Sequence, residues 1–324
     1  MSHATFSSAL VEHHRRTKSA EADSSAPRVS VLMPVHNGEK YLEEAVESIL
    51  AQTFGDFEFL IINDGSTDRT REILDRFAAQ DARIRVVHRE NRGITPTLNE
   101  LLRLARADVV ARMDADDIAA PERFAKQVRF LDENPDCLMV GSSVILIDPD
   151  GCDLSTRIVP LTHEEIHRGY LNGESRLLLH PAIMFRRDPV LKLGGYNERF
   201  AVTQDIDLYL RLAEVGRLAN LPEPLLRWRE HLGKIGARKA QLQGETFRQI
   251  VMEAHARRGS TPPALAPAAQ FKPISLAEKH RVWGWWALGS GRVATARKHA
   301  LASLRLRPFS GASWKLLACA ICGR

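Results

Sequence analysis

Short apolar segments alternate with amphipathic segments over residues 28–147, and this alternation constrains the fold more than any other feature of the chain. The apolar segments predict four strands, over Arg28–Pro34, Phe57–Ile62, Ile84–His88 and Asp108–Met113. Apolar residues at helical spacing predict the three intervening helices, over Gly38–Gln52, Thr67–Ala79 and Thr95–Ala105. Strands that alternate with helices indicate βαβ units, so we predict an α/β fold with a mainly parallel sheet flanked by helices.

The alternation is looser beyond residue 150. There we predict helices over Thr162–Leu171 and Gln204–Val215 and strands over Ala182–Phe185 and Leu225–His231. Prolines at 262, 263 and 267 indicate a linker. The predicted organisation is a disordered tail (1–26), a main domain (27–260), a Pro-rich linker (261–274) and a basic helical C-terminal segment (275–324).

A polar cluster follows each of the four N-terminal strands, and in open α/β sheets ligands bind just beyond the carboxyl ends of strands. After the fourth strand, Asp114, Asp116 and Asp117 place three carboxylates within four residues. Such carboxylates repel one another unless a cation neutralises them, and Mg²⁺ or Mn²⁺ prefers oxygen ligands. A metal that bridges the protein to a diphosphate is one interpretation, and a solvated Asp-rich turn before a helix is the other. The other clusters are His36-Asn37, Asn63-Asp64-Gly65-Ser66 and Glu90-Asn91-Arg92-Gly93.

Charge is distributed unevenly along the chain. From Arg227 to the end there are 18 Lys and Arg against 4 Asp and Glu, a balance of +14, whereas the whole chain carries +5. A basic C-terminal part favours an anionic partner such as phospholipid or a lipid-linked phosphate, although a solvated basic helical face would look the same. No recognisable nucleic-acid-binding motif accompanies the charge, so we expect no nucleic-acid partner. No apolar stretch approaches a membrane span, and we expect a cytoplasmic protein.

The motifs of residues 29–231 resemble those of the inverting glycosyltransferases of family 2, which have the GT-A fold, a Rossmann-like nucleotide-binding fold. The matching segments are VSVLMPVHNGEKYLEEAVESILAQTF, INDGSTDRT, ENRGITPTLN, ARMDADDIAAPERFAKQV, HPAIMFRR, LGGYNERF and QDIDLYLRL. The resemblance implies transfer of a hexosyl or N-acetylhexosaminyl group from a nucleoside-diphosphate sugar, with inversion at the anomeric carbon. It also implies a divalent metal, Mn²⁺ or Mg²⁺, and a glycan or lipid-linked acceptor in cell-surface polysaccharide synthesis.

The resemblance also assigns donor-site roles to individual residues. Asp64 would hydrogen-bond the uracil ring of a UDP-sugar, Asp114 would face the ribose or the donor sugar, and Asp116 would be the direct metal ligand. His36 stands where family members often have Tyr, which leaves the identity of the base open. His231 would bind metal or phosphate. The remaining residues expected around the nucleotide sugar are Pro34, Val35, Asn63, Arg92 and Ala115.

The catalytic base of the family lies at the start of the helix that begins near Gln204. Family members commonly have Glu-Asp there, and in this chain the pair is Gln204-Asp205, so Asp205 is the predicted base. Loss of the neighbouring carboxylate should slightly lower the pKa of Asp205. A positioned carboxylate is needed because a sugar hydroxyl is a weak nucleophile until its proton is removed. His180 would border the acceptor site, although a buried structural role is equally consistent with the sequence.

Two other functions and one structural question stay open at the level of sequence. A nucleotidyltransferase would share the metal and nucleotide, but His36-Asn37-Gly38-Glu39 lacks the basic Gly-rich loop that grips a triphosphate. A non-catalytic nucleotide-sugar-binding module is disfavoured by the presence of Asp114, Asp116 and Asp205.

Trp283, Trp285 and Trp286 lie in the basic C-terminal segment. That segment is expected either to pack on the main domain or to associate peripherally with an anionic membrane at its inner face.

Overall fold

The computed structural model describes residues 26–233, 240–265 and 274–323. Residues 1–25 of the predicted disordered tail (1–26) and residues 266–273 of the predicted linker (261–274) lie outside these ranges. Within the described residues, a nine-stranded sheet organises the main domain, with the strand order β3-β2-β1-β4-β8-β6-β9-β5 and with β7 paired to β6. The strands are β1 Val29–Val35, β2 Phe57–Asp64, β3 Ile84–Arg89, β4 Val109–Arg112, β5 Ile118–Ala119, β6 Cys137–Ile147, β7 Asp153–Arg157, β8 Met184–Arg186 and β9 Arg217–Arg229.

The first four strands are parallel, as the alternation predicted. Helices connect them and cover both faces of the sheet, so β1 and β2 are buried along their whole length. Alternate residues of β1 enter two separate hydrophobic clusters: Val31 and Met33 in one, Leu32 in the other. The helices of the main domain are α1 Leu42–Leu50, α2 Thr70–Gln80, α3 Ile94–Leu104, α4 Arg123–Glu133, α5 His163–Leu171, α6 Arg187–Lys192, α7 Gln204–Leu212 and α8 Ala240–Arg257.

The second half of the sheet is mixed. β8 pairs antiparallel with both β4 and β6, and β9 pairs parallel with β6 and antiparallel with β5. The strand predicted over Leu225–His231 is the end of the longer β9, and the hairpin formed by β6 and β7 was not predicted. This half brings the chain back to the fourth strand, so residues that follow β9 meet the aspartates that follow β4.

Three helices, α9 Leu276–Gly289, α10 Val293–Leu306 and α11 Gly311–Cys322, form the C-terminal segment. The segment packs on the main domain, because Trp283 is 1% exposed and belongs to the same hydrophobic cluster as Val31 and Met33. Polar contacts fasten it as well. Lys298 pairs with the fully buried Asp148, and Lys279 Nζ lies 3.0 Å from Glu230 Oε2. Of the two expectations for this segment, packing on the main domain is therefore observed.

Asp148 joins the C-terminal segment to the turn between β6 and β7. Its carboxylate accepts hydrogen bonds from the backbone N–H groups of Asp150 and Cys152 at 2.9 and 2.8 Å, and His299 Nε2 lies 3.0 Å from it. Burial alone would raise the pKa of Asp148, but His299, Lys298 and the Cys152 N–H together hold this pKa well below its usual range. The ionised carboxylate is thus part of the contact that holds α10 in place.

Candidate active site

The ends of β1 and β2 form one side of a crevice at the carboxyl edge of the sheet. Pro34 and Val35 are buried at the end of β1, and Val35 is in register with Asn63 of β2. His36 emerges from β1 into solvent, with Nδ1 2.9 Å from the backbone oxygen of Asp64. Gly65 has a φ of +71°, and a Cβ there would lie 2.5 Å from the backbone nitrogen of Asn91, so this turn requires glycine. The structure therefore brings together the residues predicted around the nucleobase.

Asp64 holds the loop that follows β3. Its two carboxylate oxygens accept the backbone N–H groups of Arg92 and Gly93, each at 2.9 Å, and Arg89 Nη1 lies 2.9 Å from Oδ1. Arg92 thus meets Asp64 through its backbone, while its own side chain is 65% exposed. Three donors already engage this carboxylate, so loop positioning is the role that the geometry displays. The contact with uracil stays a prediction.

Asp114, Asp116 and Asp117 converge after β4. One oxygen of each carboxylate lies within 4.8 Å of the others, with Asp117 buried and the other two partly exposed. Ala115 lies between the two partly exposed aspartates and is itself partly buried. An all-oxygen donor set with an open side fits Mg²⁺ or Mn²⁺, which bind a few carboxylates and complete their coordination with phosphate oxygens and water. The residues present therefore fit the metal that the sequence predicts.

Residues at the end of β9, more than 100 positions later in the sequence, form hydrogen bonds with this cluster. Arg229 donates its backbone N–H to Asp117 Oδ1 at 2.8 Å and its Nε–H to the backbone oxygen of Asp116 at 2.9 Å. His231 Nε2 lies 2.8 Å from Asp116 Oδ2. Since His231 Nδ1 accepts the Gly233 N–H at 3.1 Å, the proton of the neutral ring is on Nε2 and is donated to Asp116. His231 therefore reaches the metal cluster through Asp116, and direct metal ligation stays a prediction.

Arg229 also connects the cluster to α1. Its guanidinium is buried, pairs with Glu44 and lies 4.6 Å from the centre of the Tyr41 ring. The same Tyr41 ring packs against His231, with 5.2 Å between ring centres. Arg229 belongs to the segment 227–231, which resembles the family's segment with a basic residue and a His near the diphosphate, whereas no sequence pattern singles out Tyr41 or Glu44. Nothing local to these residues indicates that they meet.

Arg112 is the most prominent site residue that sequence analysis missed. It is the last residue of β4, its side chain is 5% exposed, and it pairs with Asp114. Within the described residues its Nε and Nη1 have no hydrogen-bond partner. Burial acts to lower the pKa of Arg112, but the charge and hydrogen bond of Asp114, together with Tyr196 and Asp117, outweigh it and the pKa is raised. The sequence signal is a single arginine at the end of an otherwise apolar strand, because a buried charge is costly unless it is paired or hydrogen-bonded.

Asp205 lies in the first turn of α7, two residues after a strained position. Thr203 has a φ of +62°, a left-handed conformation that non-glycine residues seldom adopt and that clusters at functional sites. The side chain of Asp205 is partly buried, and burial raises its pKa above the usual value of 3.8, with Asp114 adding to the effect. The N–H of Ile206 and the charge of Arg112 act in the opposite direction. The slight lowering expected from the absence of a neighbouring carboxylate is relative to family members with Glu-Asp, and it stays a prediction.

Asp207 and His180, two other titratable residues considered for this site, have structural partners. Asp207 is buried and pairs with Arg211, whose Nε and Nη2 lie 2.8 and 2.7 Å from Asp207 Oδ2. His180 Nε2 lies 2.9 Å from the Tyr196 hydroxyl, and burial together with the charge of Arg112 holds the pKa of His180 well below its usual range. A neutral His180 that is hydrogen-bonded to Tyr196 fits the structural role. A role of His180 at the border of the acceptor site stays a prediction.

Comparison with known proteins places this geometry in a family. The model of glycosyl transferase family 2 matches residues 30–194, which is half of the chain. The chain belongs to glycosyltransferase family 2. Among its relatives are the putative glycosyltransferase EpsE of Bacillus subtilis (strain 168) and the amylovoran biosynthesis glycosyltransferase AmsE of Erwinia amylovora. The first is 35% identical over 64% of this chain and 74% of EpsE, the second 32% identical over 65% of this chain and 79% of AmsE. This family member is accordingly a glycosyltransferase.

Solved structures confirm the GT-A fold of this glycosyltransferase. Staphylococcus aureus TarS (residues 1–349), in complex with UDP-GlcNAc, superposes with a TM-score of 0.59 at 18% identity, covering 90% of this chain and 79% of that one. The mannosyltransferase PcManGT of Pyrobaculum calidifontis, in complex with GDP-Man and Mn²⁺, gives a TM-score of 0.53 at 22% identity, covering 97% and 87%. At these identities the likeness extends to the fold, and the substrates named belong to those proteins.

Proposed function

We propose that this enzyme transfers a hexosyl or N-acetylhexosaminyl group from a UDP-sugar to a hydroxyl of a glycan or lipid-linked acceptor, with inversion at C1. The observation that carries the proposal is the placement of two kinds of carboxylate around one crevice. Asp114 and Asp116 form an open oxygen cluster after β4, while Asp205 is a separate, partly buried carboxylate with a raised pKa. The amylovoran relative and the UDP-GlcNAc complex of TarS support this substrate class.

The donor side would be organised by Asp114, Asp116 and Arg112. Asp116 would hold a divalent ion, kept in orientation by the hydrogen bond from His231. When bound, such an ion supplies Lewis-acid stabilisation of the charge that develops on the departing diphosphate. The two unpartnered nitrogens of Arg112 would donate to oxygens of the donor, which satisfies a buried cation that Asp114 only partly engages.

The acceptor side would be organised by Asp205. Its carboxylate would accept the proton of the acceptor hydroxyl as that oxygen forms a bond to C1, and the bond from C1 to the diphosphate oxygen breaks on the opposite face. The nucleoside diphosphate leaves with the bonding electron pair, and Asp205 later releases the proton to solvent. A carboxylate with a raised pKa is a better proton acceptor than an ordinary aspartate.

Nucleotide release from a panel of donors tests this proposal. Purified full-length protein is incubated with UDP-glucose, UDP-galactose, UDP-GlcNAc and GDP-mannose, with Mn²⁺, Mg²⁺ or EDTA. We expect release of UDP from a UDP-sugar that depends on the divalent ion, and a β-configured sugar in the first NMR spectra if the donor is α-linked. Preference for GDP-mannose would contradict uracil as the nucleobase of the donor. Undiminished turnover in EDTA would contradict the requirement for a divalent ion, and an α-configured first product would contradict inversion.

A further inference from the structure

The outer face of α11 and the turn before it expose large apolar side chains that nothing in the described chain covers. Phe309 is 100% exposed, Trp314 56% and Ile321 61%. Trp314, Ala318 and Ile321 follow one another at helical spacing, whereas Leu316 and Ala320 face inward and are buried. The Trp314 indole donates to the backbone oxygen of Pro308 at 2.8 Å, which fixes this ring beside Phe309. We call Phe309, Trp314 and Ile321 the α11 patch.

Basic residues predominate in the sequence around the α11 patch. Glu278 is the last acidic residue of the chain, and nine Lys and Arg follow it. Arg305, Arg307 and Lys315 border the patch, are exposed and form no ion pair within the described residues. An apolar surface with aromatic side chains and a basic border is complementary to an anionic bilayer, where rings enter the headgroup region and cations contact lipid phosphates.

The exposed apolar surface lies on α11 and not on α9, where the sequence predicted a membrane-contacting surface. The tryptophans of α9 do not form one outward face, because Trp283 is 1% exposed and Trp286 packs on the core beside it. None of the helices in the described ranges combines the length and apolar character that a membrane crossing needs. We infer that the enzyme docks peripherally on anionic phospholipid through the α11 patch. Docking would bring a lipid-linked acceptor within reach of the active site, and this role of docking rests on the proposed function. Binding to vesicles can be measured whether or not the proposed function is correct.

Vesicle sedimentation of the full-length protein tests the inference. Phosphatidylcholine vesicles with and without phosphatidylglycerol serve as the probe, at low and at physiological ionic strength. Each basic residue near an anionic surface contributes about a fivefold change in binding, so the triple variant R305Q/R307Q/K315Q should bind on the order of 100-fold more weakly. F309S/W314S should lose about tenfold or more through its apolar area, without loss of folding, because both side chains are exposed.

Matched controls separate this site from general charge and hydrophobicity. R103Q/R129Q/K192Q removes the same charge from elsewhere on the surface, and I158S/V215S removes exposed apolar residues that lie outside the patch. Both should bind vesicles like the unchanged enzyme, and every variant should keep its donor hydrolysis. Failure of the unchanged protein to bind anionic vesicles at low ionic strength would overturn the inference, as would equal binding to neutral vesicles. A dimer that F309S/W314S dissociates would show instead that a second copy covers the patch. Because donor hydrolysis is measured separately, its loss would count against the proposed function and not against docking.

Discussion

Asp205 and Asp207 lie on the same turn of α7, and exchanging each for asparagine should separate catalysis from stability. Asp205→Asn removes the proposed base, so we expect kcat to fall by at least about 10²-fold, which corresponds to roughly 2.7 kcal/mol of transition-state stabilisation. Donor affinity should stay within a few-fold, because the metal cluster of Asp114 and Asp116 is unchanged. Burial raises the pKa of Asp205. The ionised side chain is therefore unfavourable in the fold, and the free energy of unfolding should be equal or higher in the variant.

Asp207→Asn should do the reverse. Its carboxylate is buried and pairs with Arg211 through two nitrogens at 2.7–2.8 Å. The remaining hydrogen bonds of Arg211 go to the backbone oxygens of Leu193 and Gly195, so the variant leaves a largely buried guanidinium without its counter-ion. Breaking a buried pair costs about 3–5 kcal/mol, and the retained amide oxygen should reduce this to about 2 kcal/mol. We expect kcat to change by less than about threefold, since no reacting atom meets this side chain.

Urea unfolding and donor turnover, measured on both variants and the unchanged enzyme, test this separation. The acid limb of the kcat profile should also lie above the usual aspartate pKa of 3.8, because protonation of Asp205 removes the base, and this limb should vanish in Asp205→Asn. The reasoning would be refuted if Asp205→Asn kept near-normal turnover while Asp207→Asn lost it. In that case Asp207 would be the base and α7 would present a different face to the acceptor.

Three further predictions concern the metal cluster, the donor contact and the C-terminal segment. Asp116→Ala should abolish the divalent-dependent part of UDP-sugar binding in calorimetry, and equal affinity with and without EDTA in the unchanged enzyme would argue against a metal-bridged diphosphate. Arg112→Gln should weaken binding of a UDP-sugar by about tenfold or more, because charge-assisted hydrogen bonds are lost, and an unchanged dissociation constant would remove Arg112 from the donor site. Asp148→Asn should lower the free energy of unfolding by about 2–3 kcal/mol at pH 7, against less than about 1 kcal/mol for the exposed Asp150→Asn. Since the folded-state pKa of Asp148 is depressed, its contribution is complete above about pH 4 and is lost as the pH falls below that value. Equal effects of the two exchanges on urea unfolding would contradict the role given to Asp148.

Local sequence patterns account for the first half of the fold and for part of the site. The strands up to Arg112 were predictable because each is a short apolar run between amphipathic helices. Asp114 and Asp116 were predictable as a cluster because they are close in sequence. In contrast, β9 contains Pro222 and Pro224, which argue against a strand. Its register with β6 shifts between Cys137 and Met139 and again between Ser142 and Val144, so no single register runs along the whole strand.

The remaining site contacts are tertiary, and no local pattern encodes them. His231 and Asp116 are 115 residues apart and meet only because β9 returns along β6 to the end of β4. The tryptophans of α9 show the same limit, because helical spacing does not say which face is covered. Whether Trp283 is buried depends on the surface of the main domain on which α9 packs.

Insertions and deletions are constrained by β9 in a way that point substitutions are not. This one strand connects α7, which carries Asp205, to His231 beside Asp116. Because side chains alternate along a strand, adding or deleting one residue within Leu226–Arg229 would exchange the faces of Trp228 and Arg229 and remove the Arg229 guanidinium from Glu44. Length variation among relatives with this chemistry should therefore concentrate in turns away from the site, such as 172–176, where the spacing between the two halves of the site is unaffected.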